Sequence, residues 1–328
     1  MNLNERLAAL RQLLYDPPGA TLWLRLYRTI EAWVGQPGFD LALDYTRDHV
    51  AAHRERWVSR DPLAPCTWLR DKLKGRDTHG ALVLGACGEV EWEAVLIDPN
   101  VLGAREGDPA LPPVPYALHV KPVTQEVWVA LMDSNPSTHL GNTRPVESIN
   151  WFSAVAFCNA MSRRRGLPEQ YSLRGATQKP GERGFSARVE AEPQDHPGFR
   201  LPTPQEWEFA CWAHQPWEEI EPRLEDLAWF GQRANGASGP VAALSPNDWG
   251  LFDMLGNVCE WTSELSTNAP PPNTQDGIFC GSSYGFARNL VSPAFRGNYN
   301  TSGTSPALGL RLARTIPEPA GAGPVVKG

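Results

Sequence analysis

Between residues 90 and 316 the chain is punctuated so densely by Gly, Pro and Asn that only two stretches hold a clean helical spacing of apolar residues. The first, "NWFSAVAFCNAMSRRRG" over 150–166, has Asn150 placed to cap the helix and Gly166 placed to end it. The second, "LPTPQEWEFACWA" over 201–213, has Thr203 as cap, Pro204 in the first turn and Glu206 placed to close a capping box. The remainder is short strand-forming runs between turn residues. Two helices embedded in so many loops argue against a helical bundle and predict a loop-rich α+β domain. Composition agrees, since 31 Pro, 29 Gly and 13 Trp describe loops held by large aromatic anchors.

The N-terminal part follows other rules. Residues 3–14, 21–34 and 38–57 show apolar positions three and four apart, broken by Pro17-Pro18 and by Gln36-Pro37-Gly38, and "CTWLRDKLKG" ends a further short helix at Gly75. The run "GALVLGACGEVEWEAVLI" (80–97) is rich in Val and Leu and alternates, which predicts a pair of strands. The expected division is a small helical region over 1–89, the α+β domain over 90–316, and a disordered tail over 317–328. A net charge of −7 argues against nonspecific nucleic-acid binding, which requires a basic face. No apolar run approaches the roughly 20 residues of a membrane span. The opening "MNLNERLAALRQLLY" lacks the apolar core of a signal peptide. Cys66, Cys87, Cys158, Cys211, Cys259 and Cys280 are scattered without a CxxC pair. Together these features predict a cytoplasmic protein whose cysteines are reduced.

Six segments occur in an ordered series: "PVTQEVW" (122–128), "RPVESINWFSAVAFCNAMSRRRGLPEQYSL" (144–173), "FRLPTPQEWEFACWA" (199–213), "WGLFDMLGNVCEWTSE" (249–264), "CGSSY" (280–284) and "ALGLRLAR" (307–314). The series resembles the formylglycine-generating-enzyme, or sulfatase-modifying-factor, domain, whose fold is a divergent C-type lectin. Several of its residues also have a direct physical reading. Gly250 and Gly256 permit backbone conformations that a Cβ forbids, and Asn257 tolerates the left-handed region. Trp249 and Trp261 are apolar anchors with one donor each. Glu260 stands in a segment expected to be buried, where a carboxylate must find a cation or donors. The resemblance implies a structural calcium ion held by the carbonyls of Leu255, Gly256 and Val258 and the side chain of Glu260, hard oxygen ligands that suit it. A pairing of Glu260 with an arginine such as Arg311 meets the same need, and the two readings stay open. Cys259 stands where the family normally has Trp. The family's second calcium site has no acidic residue to match it in "LAWFGQRANGASGPVAAL" (227–244).

The enzymatic readings that the resemblance brings lack residues. Formylglycine generation uses a thiolate pair just after the turn that "GSSY" matches, and the corresponding positions are Phe286 and Val291, which can neither attack nor bind copper. Sulfoxide synthases of the same fold hold iron through H-x3-H-x-E in an N-terminal helical domain. The chain has His49, His53 and Glu55 at that spacing, with the two histidines on one helix face. However, no histidine precedes His49, and Arg47, Arg54 and Arg56 surround the proposed cation. A metal enzyme on these three residues is therefore the alternative reading, against a solvated helix face.

A binding reading uses the segment "GSSYGFARNLVSPAFRGNYNTSGTS" (281–305) instead. Tyr and Phe offer rigid contact area at low entropic cost, and Ser and Asn offer adaptable hydrogen bonds. Its turn (Gly281-Ser282-Ser283-Tyr284), its Ala294-Phe295-Arg296 and its end (Leu308-Gly309-Leu310-Arg311) resemble the variable region of diversity-generating-retroelement proteins. On that pattern Ala294, Arg296, Gly309 and Arg311 are scaffold, with Arg296 expected in a buried pair or stack. Phe286, Asn289, Leu290, Phe295, Asn298, Tyr299, Asn300 and Ser302 are the free positions that would meet a protein or glycan. The bland alternative is an ordinary loop whose Asn, Gly and Ser make turns.

Overall fold

The computed structural model describes residues 81–84, 94–97, 107–180, 185–191, 196–266 and 275–315, with Pro99 and Glu182 in addition. The helices expected before residue 76 and the tail expected from residue 317 lie outside the described residues.

Strands and helices are both present and mostly short. Strands β1 (Ala81–Leu84) and β2 (Ala94–Ile97) form the expected pair, in register Ala81 with Ile97. The boundary expected at residue 90 falls inside this pair, because Ala81–Leu84 is hydrogen-bonded to the strand that follows it. β2 then pairs with β3 (Tyr116–His119), β3 with β13 (Ala313–Thr315), and β13 with β6 (Phe199–Arg200), giving a five-stranded sheet in the order β1-β2-β3-β13-β6. A second sheet has the order β11-β10-β9-β12, made of Cys259–Leu265 (β9), Asp276–Cys280 (β10), Arg296–Asn300 (β11) and Leu308–Leu310 (β12). Two small pairs complete the described strands: β4 (Tyr171–Arg174) with β5 (Arg188–Ala191), and β7 (Ala228–Trp229) with β8 (Leu255–Gly256).

Among the described residues the helices are α1 (Gln125–Met132), α2 (Trp151–Arg164), α3 (Pro204–Trp212), α4 (Trp217–Ile220) and α5 (Leu224–Leu227). Both expected helix starts are present. Asn150 Oδ1 accepts the Ser153 N–H at 2.8 Å, and its amide donates to Phe185 O at 2.7 Å. Thr203 and Glu206 close the capping box, each accepting the other's backbone N–H, at 3.1 Å and 2.8 Å. Glu206 also takes both terminal nitrogens of the buried Arg200 at 2.6 Å, so one carboxylate caps a helix and neutralises a cation. Sequence reading missed α1, whose eight residues bury only Gln125 and Trp128, too few to show a periodic stripe.

Two apolar clusters fill the interior. One gathers Trp128, Trp151, Phe157, Met161, Trp261 and Leu310 around α2; the other gathers Trp207, Phe209, Trp249, Met254 and Leu224 around α3. Each such side chain stabilises the fold by about 1.5–3 kcal/mol when fully buried. The loop between them needs unusual backbone. Gly256 has φ +110, and a Cβ there would lie 2.6 Å from the Trp229 carbonyl; Asn257 follows at φ +60 and donates its N–H to the same carbonyl at 2.8 Å. Cys158, Cys211, Cys259 and Cys280 are free and buried. Among the described residues no helix is long and apolar enough to cross a membrane.

Candidate functional site

The segment after β10 is clamped to the core at both ends and partly exposed between them. At its start Gly281 adopts φ +78, and a Cβ there would meet the Trp207 ring at 2.9 Å, so only glycine lets the chain pass. Ser282 and Ser283 are buried, and the Tyr284 N–H donates to Asn257 O at 2.9 Å. A short 3-10 turn at Arg288–Leu290 is held from outside by Arg288, which reaches Glu221 and Glu225 at 2.9 Å each. At the far end the Thr301 hydroxyl donates to Gln275 O at 2.7 Å, and Thr301 O accepts the Trp151 N–H at 3.1 Å. Ser305 O accepts the Ser148 N–H at 3.0 Å before the chain enters the buried β12.

Five of the eight proposed contact residues are exposed: Asn289, Leu290, Asn298, Tyr299 and Ser302, with Leu290 at 50% and Tyr299 at 41%. The other three are half-buried, each for a visible reason. Phe286 meets Phe295 edge-on at 5.0 Å between ring centroids, and Phe295 leans on Phe279 at 6.5 Å. These two rings brace the loop from beneath; the expectation that they stand free is corrected. Asn300 closes a turn, its Oδ1 accepting the Ser302 N–H at 2.9 Å and its carbonyl the Gly303 N–H at 2.8 Å. The Tyr299 ring lies over that turn, where a Cβ on Gly303 would come 2.6 Å from it.

The scaffold positions divide as well. Gly309 and Arg311 are buried as expected, and a Cβ on Gly309 would sit 2.5 Å from Val146 O. Arg296 makes the expected pair, with Glu208 of α3, but in the open: its side chain is 43% exposed because β11 is an outer strand. Ala294 is exposed too.

Beneath the loop lies the fully buried ion pair Glu260–Arg311. Arg311 Nε donates to both Glu260 oxygens at 3.2 and 3.0 Å, and Nη2 donates to Oε1 at 2.9 Å. Trp207 Nε1 supplies Oε2 at 2.6 Å. The remaining guanidinium donors reach His119 O and Phe252 O at 2.8 and 2.7 Å. A calcium ion on Leu255, Gly256, Val258 and Glu260 would need this carboxylate, both of whose oxygens already face a guanidinium, and like charges repel in an interior that screens them poorly. The residues present do not fit the ion; the arginine reading fits them.

Thiol chemistry meets a similar obstacle. Val291 is buried, Phe286 braces the loop, and among the described residues the cysteines nearest the turn are Cys259 and Cys280. Burial, with Glu260 adding to it, pushes the Cys259 thiol up to about 12, and burial pushes Cys280 up as well. A thiol that stays protonated at neutral pH is a poor nucleophile and a poor copper ligand. Among the described residues no group of three or more His, Cys, Asp or Glu is arranged to hold a metal. His49, His53 and Glu55 lie outside the described residues.

One polar cluster next to the loop escaped the sequence reading. The buried Glu147 carboxylate accepts the His139 N–H at 2.6 Å and the Ser148 hydroxyl at 2.7 Å. The His139 ring stands edge-on to Tyr284 at 5.0 Å. Partial burial and then the nearby Glu147 push the Tyr284 phenol up from its usual value. The one sequence signal was an acidic residue flanked by Val146 and Ser148 in a stretch that otherwise reads as core.

Comparison with known proteins covers most of the described domain. The family described as Sulfatase-modifying factor enzyme 1-like domain matches residues 85–316. The chaperone protein LppX of Paenibacillus barcinonensis is 27% identical over 217 residues, 59% of this chain and 78% of that protein. The formylglycine-generating enzyme of Bos taurus is 33% identical over 113 residues, which span 26% of this chain and only 30% of the enzyme. Among solved structures, variable protein 1 of Treponema denticola superimposes with a TM-score of 0.54 at 24% identity, covering 69% of this chain and 96% of that one.

Proposed function

Because the chain belongs to the family of sulfatase-modifying factor enzyme 1-like domains and has their fold, we propose that it is a non-catalytic binding protein presenting residues 285–307 to a protein or glycan ligand. The observation that carries this reading is the division of labour within the segment. Its ends are tied to the core by Tyr284, Thr301 and Ser305, its braces Phe286 and Phe295 are half-buried against one another, and Asn289, Leu290, Asn298, Tyr299 and Ser302 are left facing out. Preorganised loops with neutral polar and aromatic side chains bind without losing much entropy. The positions matching the family's thiol pair hold Phe286 and Val291, which supports binding over oxidation. The Paenibacillus relative is named a chaperone, which agrees with holding another molecule; the Treponema denticola variable protein shares the fold.

The test screens the full chain on glycan and peptide arrays, then repeats the strongest interaction with Leu290→Ala and Tyr299→Ala combined. We expect at least a tenfold loss of affinity with Tm within about 3 °C of the parent, since both side chains are exposed. Binding indifferent to the pair, or turnover of a thiol substrate with oxygen, overturns the proposal.

A further inference from the structure

The second sheet has one sealed edge and one open edge. β12 is sealed, with Leu308, Gly309 and Leu310 all buried and Gly309 pressed against Val146 O. β11 is open. Gly281 N–H donates to Phe295 O at 3.1 Å and Thr301 N–H to Gln275 O at 2.9 Å. With the register Cys280–Arg296 to Asp276–Asn300, these two bonds fix which residues of β11 face β10: 295, 297, 299 and 301. The backbone N–H and C=O groups of Arg296 and Asn298, and the N–H of Asn300, therefore point away from the sheet. Among the described residues nothing pairs with the outward groups of Arg296 and Asn298.

Natural sheets guard such edges with Pro, Lys or bulges. From Arg296 to Asn300 there is no Pro and no Lys, and the pairing with β10 runs through five successive residues without a bulge. The two side chains able to shield the edge are both drawn aside, Arg296 to Glu208 of α3 and Asn298 to Asp276 at 2.8 Å. Tyr299 leaves a 41% exposed aromatic surface beside it.

We infer that the outer edge of β11 is a strand-addition site, where an extended segment of a partner protein pairs with the backbone of Arg296 and Asn298. This deepens the binding reading above and rests on it. The occupant follows from complementarity of partial charge: alternating N–H and C=O groups about 6.8 Å apart, two strand residues, match another extended backbone. A glycan offers no such repeat. A second copy of the chain is disfavoured by area. Edge-to-edge contact over five residues, about 17 Å long and about 10 Å deep, buries only roughly 340 Å² on two partners, short of the roughly 1,000 Å² of a specific interface. A flexible peptide instead can fold its side chains onto Tyr299 and Leu290.

The probe is a displayed library of random cysteine-free linear peptides, selected against the full chain. Selected peptides are then measured against the parent, Asn298→Pro and Asn298→Ala. Proline removes only the outward N–H and crowds the incoming strand, as edge strands tolerate; alanine leaves the backbone intact. We expect Asn298→Pro to bind at least tenfold more weakly than Asn298→Ala, which removes the same side chain but keeps the outward N–H. Peptides N-methylated at alternate residues are expected to lose binding on the same scale, which tests the idea without altering the protein should Asn298→Pro fail to fold. Peptides insensitive to Asn298→Pro and to N-methylation, yet lost with Leu290→Ala and Tyr299→Ala, sink strand addition while leaving the binding reading in place. Failure of the library to enrich any peptide, or concentration-dependent dimerisation abolished by Asn298→Pro, also overturns it.

Discussion

Replacing Glu260 by Gln preserves volume and one acceptor oxygen but leaves the Arg311 guanidinium without a counter-charge. Both side chains are 0% exposed, so water cannot solvate what remains. Four donor contacts converge on this carboxylate, three from Arg311 and one from Trp207. Removing one partner of a buried, hydrogen-bonded pair costs about 3–5 kcal/mol, most of it the unpaired charge. For a domain of this size about 1 kcal/mol moves Tm by about 2–4 °C, which predicts a fall of roughly 6–20 °C. Arg311→Met should fall by a similar amount, and the double variant Glu260→Leu with Arg311→Met should recover much of the loss, because nothing charged is then left inside. Scanning calorimetry at neutral pH reads all three, each in excess EGTA and in calcium chloride, and the curves should not depend on the metal. If the parent gained several degrees in calcium and Glu260→Gln cost only that increment, an ion and not Arg311 would be the partner. A Glu260→Gln curve within a degree of the parent would equally refute the reasoning.

Gly309→Ala should be poorly tolerated, since the new methyl would sit 2.5 Å from Val146 O, a backbone atom; the expected loss is about 1–3 kcal/mol, read by urea unfolding. The buried thiols make stability depend on alkaline pH: Cys259 is held up to about 12 against a usual value of 9.0, with Cys158, Cys211 and Cys280 also raised by burial. Above about pH 9 the unfolded chain loses these protons while the folded one keeps them, so stability present below that pH should decline as pH rises toward 12. Native alkylation of these four at neutral pH, followed by peptide mapping, should be slow, and labelling of Cys280 at the rate of a free thiol contradicts the burial argument.

Much of the domain was readable from local patterns. Asn150, Thr203 and Glu206 announced two helix starts because capping is a matter between residues two or three apart, and Gly256-Asn257 announced a left-handed turn for the same reason. The β1–β2 pair was legible because it lies within one alternating run. Helix α1 was not, because Gln125 and Trp128 are too few buried residues to make a period.

The candidate site shows where local reading stops. Composition and the family resemblance together pointed to residues 281–305 as a binding loop, and no local rule distinguishes Phe295, which braces, from Tyr299, which faces out. That choice depends on Phe279, brought in by sheet register, and on Phe286, brought in by the turn at Tyr284. The partner of Glu260 was likewise undetermined between an ion and Arg311, 51 residues apart in the chain. Sequence by itself thus determined the caps and the turns, because these depend on neighbours along the backbone, and the family, because its six segments keep their order along the chain. Tertiary structure decided which side chains of residues 281–305 are free, which charge neutralises Glu260 and which sheet edge stays open, because each depends on groups that only folding brings within a few ångströms.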